Sequence, residues 1–244
     1  MDLGLNGKTF LVTGGSRGLG YATAEVLAIE GANVVVASRS PQDAAAALGC
    51  SFVVADLSDA SAAEAAVGHT VATYGGIDGA LVSVGGPPAG ATLEITDEQW
   101  EQAYRSVHLG AVRVIRAVVA ALPPTGGSIA LVLSTSVKQP LGNLAVSNAL
   151  RPGLGMLAKT LADELGPRGV RVNGLLPGRV DTDRVRTLDG PDPAVRAGHE
   201  ASIALRRYGS PDEFGRVAAF VLSPAASYLT GAMVPVDGGI GRAL

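Results

Sequence analysis

Short apolar runs alternate with longer segments of helical spacing from one end of the chain to the other. Lys8–Thr13, Asn33–Ser38, Ser51–Ala55, Gly79–Val84, Ser128–Ser134, Val170–Leu176 and Ala232–Val236 are the runs, rich in Val, Leu and Ile. Unbroken apolar runs of this length suit parallel strands buried on both faces. Between them, Leu19–Glu30, Ala60–Tyr74, Asp97–Leu122, Asn143–Leu165 and Pro211–Leu222 carry helical spacing. Thr96-Asp97-Glu98-Gln99 offers a capping box, and Ser210-Pro211 offers an N-cap followed by proline at the first helical position. Gly31 and Gly75 stand where a glycine commonly ends a helix. The alternation predicts an α/β fold: a doubly wound parallel sheet, helices on both faces, right-handed crossovers. No linker or repeat interrupts it, so residues 1–244 read as one domain. Residues 181–203 are the least regular stretch, broken by Gly190, Pro191 and Pro193. Such an insertion lies beyond the carboxyl strand ends, where ligands bind. It reads as a substrate lid or, more plainly, as a mobile surface loop.

Composition narrows the class. At 244 residues and 47% hydrophobic, the chain can bury a large core, and few aromatics (4%) suit close helix-on-sheet packing. A net charge of −3 with only Lys8, Lys138 and Lys159 as lysines argues against nucleic acid and anionic membrane as partners. Cys50 stands alone, which removes intrachain disulfides and cysteine metal clusters, and no His/Asp/Glu spacing suggests a metal site. With neither a signal-peptide pattern nor an apolar stretch of the roughly 18 residues needed to span a bilayer, the expectation is a soluble, cytoplasmic protein.

Thr13-Gly14-Gly15-Ser16-Arg17-Gly18-Leu19-Gly20 follows a strand and opens a helix. Glycines there permit a tight turn, let the backbone approach a pyrophosphate, and allow close helix–strand packing. The N–H groups of the helix start then face the negative charge. An NAD site would place an acid at the end of the second strand, but this chain reads Val36-Ala37-Ser38-Arg39-Ser40. Arg39 and Arg17 suit charge-assisted bonds to a 2′-phosphate, so NADP(H) is expected in preference to NAD(H). The competing view is that both arginines cover a solvated surface. Asp56, after the third strand, is placed to accept from an adenine amino group.

With these residues in view, the chain resembles the short-chain dehydrogenase/reductase family, and within it the 3-oxoacyl-ACP reductase-like group. Besides Thr13–Gly20, the matching segments are Asn173-Gly174-Leu175-Leu176-Pro177-Gly178 with Thr182, Arg207–Pro211, Ser227-Tyr228-Leu229-Thr230-Gly231 and Val236-Asp237-Gly238-Gly239. The resemblance covers nearly the whole length. It implies a Rossmann-type domain and a homo-oligomer, tetramer or dimer, with the last helix and strand at an interface. Pro177, Gly178, Val180 and Thr182 would meet the nicotinamide side of the cofactor, and Ser38, Leu57 and Gly85 would complete its binding surface.

The family's catalytic tetrad is Asn, Ser, Tyr and Lys, and only Ser134 matches it. The tyrosine position falls on Ser147, the lysine position on Arg151 and the asparagine position on His108, while Ser83-Val84-Gly85-Gly86 replaces an Asn-Asn-Ala-Gly segment. None of Tyr21, Tyr74, Tyr104, Tyr208 and Tyr228 has a lysine four residues on. A serine hydroxyl is far less acidic than a phenol. Arg151 can keep the lysine's ribose contact and field but shuttles no proton. Pro152 should make the helix kink or start late. His108 is a candidate proton donor or a packed histidine bonded to a neighbouring strand; Lys138 is a second candidate donor or a solvated loop lysine. With Arg179, they make three cations near one cleft and suggest a small, anionic substrate. Three functional readings stay open: an NADP(H)-dependent oxidoreductase on a carbonyl or alcohol with a non-standard proton donor, a cofactor-binding pseudoenzyme serving as sensor or partner subunit, and a non-redox enzyme reusing the pocket.

Overall fold

A computed structural model describes residues 2–243. Seven strands form one parallel sheet: β1 (Thr9–Thr13), β2 (Asn33–Ser38), β3 (Ser51–Val54), β4 (Gly79–Ser83), β5 (Gly127–Val132), β6 (Val170–Pro177) and β7 (Met233–Val236). Their spatial order is β3-β2-β1-β4-β5-β6-β7, so the winding reverses between β1 and β4. All five residues of β1 are buried, whereas the edge strand β3 alternates between half-buried and exposed. Successive side chains of β1 feed opposite layers. Phe10 and Val12 pack with Leu27 of helix α1 (Gly18–Ile29) and Phe214 of α9 (Pro211–Leu222). Leu11 packs on the other face with Ala66 of α3 (Ala62–Tyr74) and with α5 (Gly110–Ala121) and α6 (Ala145–Leu165), through Val114, Leu154 and Ala158.

Small residues set the layer spacing. A Cβ on Gly215 of α9 would come within 2.5 Å of the Ala22 carbonyl, so α1 and α9 touch backbone to backbone. Arg171 caps α9 from β6, its guanidinium donating to the Val221, Leu222 and Ser223 carbonyls at 2.8, 3.1 and 2.9 Å. Among the described residues, no helix is long and apolar enough to cross a membrane.

The capping box at Thr96 forms, and so does the one at Ser210 with Pro211 at the first helical position. The expected single helix over Asp97–Leu122 is instead α4 (Asp97–Ala103), a π-helical turn over Tyr104–Leu109, and α5. Its wide turn carries His108 and lets Gly110 meet the Leu57 carbonyl, 2.8 Å from where a Cβ would stand. Helix α2 (Gln42–Leu48), built on four consecutive alanines, went unanticipated.

Two expectations are corrected. The stretch 181–203 is largely helical, holding α7 (Asp183–Asp189) and α8 (Pro193–Ser202). The residues taken for breakers punctuate the helices: Gly190 ends α7, while Asp192 caps α8 and Pro193 opens it. The other concerns the start of helix α6, which begins at Ala145, ahead of Pro152, and runs without interruption to Leu165. Its start is pinned by Asn148, whose side-chain amide both donates to and accepts from Leu141 backbone at 2.8 and 3.0 Å. Burial of Val146, Leu154, Ala158 and Ala162 outweighs the one bond that Pro152 cannot donate to the Asn148 carbonyl. Pro152→Ala should therefore stabilise the fold by about 1–3 kcal/mol, seen as a rise of several degrees in the thermal midpoint. An unchanged or lower midpoint contradicts this.

Candidate active site

The turn after β1 lies where the sheet winding reverses, at the carboxyl ends of the strands, which is where open α/β sheets bind ligands. The Thr13 hydroxyl donates to the Ser83 carbonyl at 3.0 Å and accepts from the Ser83 amide at 2.9 Å, tying β1 to β4. Gly14 adopts φ +61°, and a Cβ on it would lie 2.6 Å from the Ser83 carbonyl oxygen. On Gly20 a Cβ would lie 2.4 Å from the Gly14 carbonyl. Glycine is therefore required at both positions by close backbone approach. Gly18, at φ +58°, opens α1 and faces the Thr182 methyl across the crevice. The α1 N-cap, Arg17, is extended and makes no side-chain cap, and no acid stands in the first turn. The free N–H groups of α1 and its positive end thus remain available to an anion. An open, Cβ-free cradle of this kind fits the diphosphate of a dinucleotide.

Around the cradle, Ser16 and Leu19 are half-buried, and Arg17 and Arg39 are exposed. Ser38 ends β2, its Oγ accepting from the Ser40 amide at 3.3 Å. Asp56 Oδ1 accepts from the Ser58 amide and hydroxyl at 2.9 and 2.8 Å. Those bonds, the amide's first, hold its carboxyl below the usual range, with a smaller contribution from Arg39. Leu57 is half-buried, while Gly85 is exposed and faces open space. Pro177 ends β6; Gly178 follows and is pressed against Asp237, 2.7 Å from its Cβ to where a Gly178 Cβ would stand. Val180 is buried and bridges to Gly209, and Thr182 caps α7 through the Val185 amide.

On the chemistry side the residues converge in part. Ser134 Oγ accepts from the Ser136 amide at 3.0 Å, which leaves its own hydrogen free to donate. Ser147, at the family's tyrosine position, is buried and lies 3.2 Å from Ser136 Oγ. Arg151 follows one turn later on the same face of α6. It is buried, and its Nη1 donates to the Val132 and Leu133 carbonyls at 2.8 and 2.7 Å. Burial first, then the charge of Arg184, pushes Arg151 down to about 10, so it stays cationic at neutral pH.

The remaining cations separate. His108 stacks on Tyr104 with ring centroids 5.5 Å apart, and its Nδ1 lies 3.4 Å from the Leu150 carbonyl. It is thus packed against helix α6, not against a strand as the packed reading had it. Lys138 is exposed and borders a cavity of about 190 Å³ with Thr135, Gln139 and Asp237. Arg179 does not point free into the cleft. It pairs with Asp189, whose carboxylate is almost fully buried, and donates from Nη2 toward His199 Nε2 at 3.2 Å.

Two features escaped the sequence. Arg184, in the first turn of α7, reaches the Pro87 carbonyl across the crevice mouth. Its only sequence signal is its place two residues beyond Thr182. The second feature is a closed polar network. Tyr208 donates to Asp189 Oδ2 at 2.6 Å, His199 Nδ1 lies 2.9 Å from the Tyr208 oxygen, and the Arg196 guanidinium sits 4.3 Å over the Tyr208 ring. It joins α7 and α8, in the segment read as a lid or surface loop, to the approach to α9.

Comparison with known proteins settles the family. The family described as enoyl-(acyl carrier protein) reductase matches residues 14–241. The chain is 34% identical over 236 residues to the 3-oxoacyl-(acyl-carrier-protein) reductase MabA of Mycobacterium bovis, covering 96% of this chain and 93% of the relative. Dehydrogenase/reductase SDR family member 4 of Homo sapiens is 35% identical, covering 96% and 88%. This chain is a short-chain dehydrogenase/reductase. Among solved structures of this oxidoreductase fold, the L-sorbose reductase of Gluconobacter frateurii, complexed with NADPH and L-sorbose, superposes with TM-score 0.92 at 29% identity, covering all of both chains.

The network carries a pH signature. Burial, then the hydrogen bond and charge of Asp189, pushes the Tyr208 phenol up to about 12 from 10.0. A raised folded-state value means that this contribution to stability is complete below about pH 10 and is lost as pH climbs to about 12. Denaturant unfolding across that window should show wild type losing stability more steeply than Tyr208→Phe, which has nothing to ionise. Superimposable slopes contradict a buried phenol bonded to Asp189.

Proposed function

We propose that this short-chain dehydrogenase/reductase is an NADP(H)-dependent oxidoreductase acting on a small, anionic carbonyl or alcohol substrate, with a proton donor other than tyrosine. The observation that carries this is the cradle: an uncapped α1 start, closed to any Cβ at Gly14 and Gly20, with exposed Arg17 and Arg39 beside it. Gly14, Ser16, Gly18, Leu19 and Gly20 would hold the diphosphate. Arg17, Ser38 and Arg39 would hold the 2′-phosphate, and Asp56 and Leu57 the adenine. Gly85, Pro177, Gly178, Val180 and Thr182 would line the nicotinamide side.

A bound nicotinamide supplies the hydride. The chain must orient the carbonyl, stabilise negative charge on its oxygen and deliver one proton there. Ser134 is the donor to that oxygen, since its hydroxyl hydrogen is free. Arg151 contributes charge from beneath, held through the carbonyls of Val132 and Leu133. Ser147 stays bonded to Ser136 and positions that floor. The proton comes from His108 or Lys138, through water. With Nδ1–H donated to the Leu150 carbonyl, His108 keeps Nε2 free for a hydrogen bond to water. Residues 181–203 act as the lid of a single domain. The assembly is a homo-oligomer through α9 and β7, with Phe220 exposed on α9 and Tyr228 exposed between the two elements.

The burial of Ser147 favours one rival, a non-catalytic cofactor-binding partner, because no titratable group occupies the tyrosine's place. Deuteride transfer decides between them. Incubated with a panel of ketones and deuterated NADPH, the protein should yield an alcohol labelled at the carbinol carbon. His108→Ala or Lys138→Ala should then lower turnover by roughly a hundredfold or more. Substrate consumed without label points to non-redox chemistry, and no consumption to the binding partner. Arg39→Ala should weaken NADPH binding about tenfold and leave NADH binding unchanged.

A further inference from the structure

Four arginines project from residues 179–196, and three of them have acidic partners. Arg179 pairs with Asp189, Arg186 with Asp181 and Asp183, and Arg196 with Asp181 and Glu200. Arg184 is the exception: among the described residues, no carboxylate lies within the 4.0 Å of an ion pair. It leaves the first turn of α7 beside Thr182 and crosses to the loop after β4. There Nη2 donates to the Pro87 carbonyl, and Nε lies 2.7 Å from where a Gly86 Cβ would stand. A guanidinium has five N–H donors, and here one is engaged.

Beneath lies a second cation. Arg151 is held at the end of β5 by the Val132 and Leu133 carbonyls, next to Ser134, and it too has no carboxylate partner among the described residues. Burial lowers Arg184 as it lowers Arg151, and the charge of Arg184 lowers Arg151 further, which places the two within each other's field. A half-buried cation beside a fully buried one, neither with a counterion, is unfavourable until an anion enters.

We propose that Arg184 is the receptor for a substrate carboxylate, and that the substrate class is an oxo acid whose carbonyl lies over Ser134 while its carboxylate takes the unused donors of Arg184. A planar, two-oxygen anion matches the guanidinium fork. The inference rests on the oxidoreductase reading above. The cofactor diphosphate is the other source of oxyanions, but it is met by the uncapped α1 N-terminus. Arg184 instead reaches the loop after β4, and its charge is felt at Arg151, which is held at the end of β5 beside Ser134. Reduction then gives a hydroxy acid: the carbonyl carbon gains the hydride, its oxygen gains the proton, and the carboxylate is unchanged.

The test is calorimetric titration of the NADP⁺-loaded chain with short oxo acids whose carbonyl is α, β or γ to the carboxylate, each against its methyl ester. At least one acid should bind wild type roughly tenfold or more tightly than its ester. Arg184→Leu should erase that margin while ester binding and NADPH affinity stay within about twofold, and Arg184→Lys should keep part of it. Three results overturn the inference. They are no acid exceeding its ester in wild type, a margin that survives in Arg184→Leu, and a loss of NADPH affinity of about tenfold in Arg184→Leu, which assigns the residue to the diphosphate. Wild type that binds no NADPH contradicts the oxidoreductase reading itself, a distinct result with which this inference also falls.

Discussion

At the end of β1 the Thr13 hydroxyl donates to the Ser83 carbonyl and accepts from the Ser83 amide, joining β1 to β4 at the point where the winding reverses. This two-way bond fixes how closely the turn after β1 approaches the end of β4, and the approach leaves no space for a Cβ at Gly14. From that constraint the ligand face follows. The turn rises directly into α1, Gly20 packs on the Gly14 carbonyl, and the helix starts with its donors uncapped. Thr182 closes the far side of the same crevice against Gly18, so α7 is placed by the phosphate turn as well as by β6.

Across the crevice, the positions that the resemblance assigns to the family's tyrosine and lysine hold Ser147 and Arg151, and both side chains are engaged within the fold. Arg151 is turned down onto the carbonyls that end β5. The space of a phenol is taken by a serine bonded to another serine. The π turn carrying His108 brings its ring against α6 near Gly153, where a Cβ would lie 3.2 Å from His108 Cε1. Charge has moved to the roof: α7 delivers Arg184 over the crevice mouth while the other arginines of its segment are neutralised by acids. The result is an open, Cβ-free cradle on one side of the crevice, with Arg184 at its mouth and Arg151 buried at the end of β5.

How much of this was legible in the sequence depended on whether the determinant was local. β2 and α9 matched to the residue, because an unbroken buried run and an N-cap followed by proline need no tertiary context. The glycine turn was readable for the same reason. Gly190 and Pro193 were misread because a breaker and a cap are one residue type in different places. The late start expected from Pro152 did not occur because its penalty is local while the burial that outweighs it comes from the sheet below. The pairing of Arg179 with Asp189 and the reach of Arg184 to Pro87 are tertiary contacts, the second spanning ninety-seven residues. No periodicity announces either.

The account stands on the cradle binding a 2′-phosphorylated dinucleotide, and equilibrium fluorescence titration of the wild-type chain with NADPH and, separately, NADH measures that directly. The account predicts saturable NADPH binding at least about tenfold tighter than NADH, since only the former offers a phosphate to Arg17 and Arg39. Equal affinities would contradict the role given to those arginines. Binding of neither would reduce the glycine turn to a packing device of the sheet.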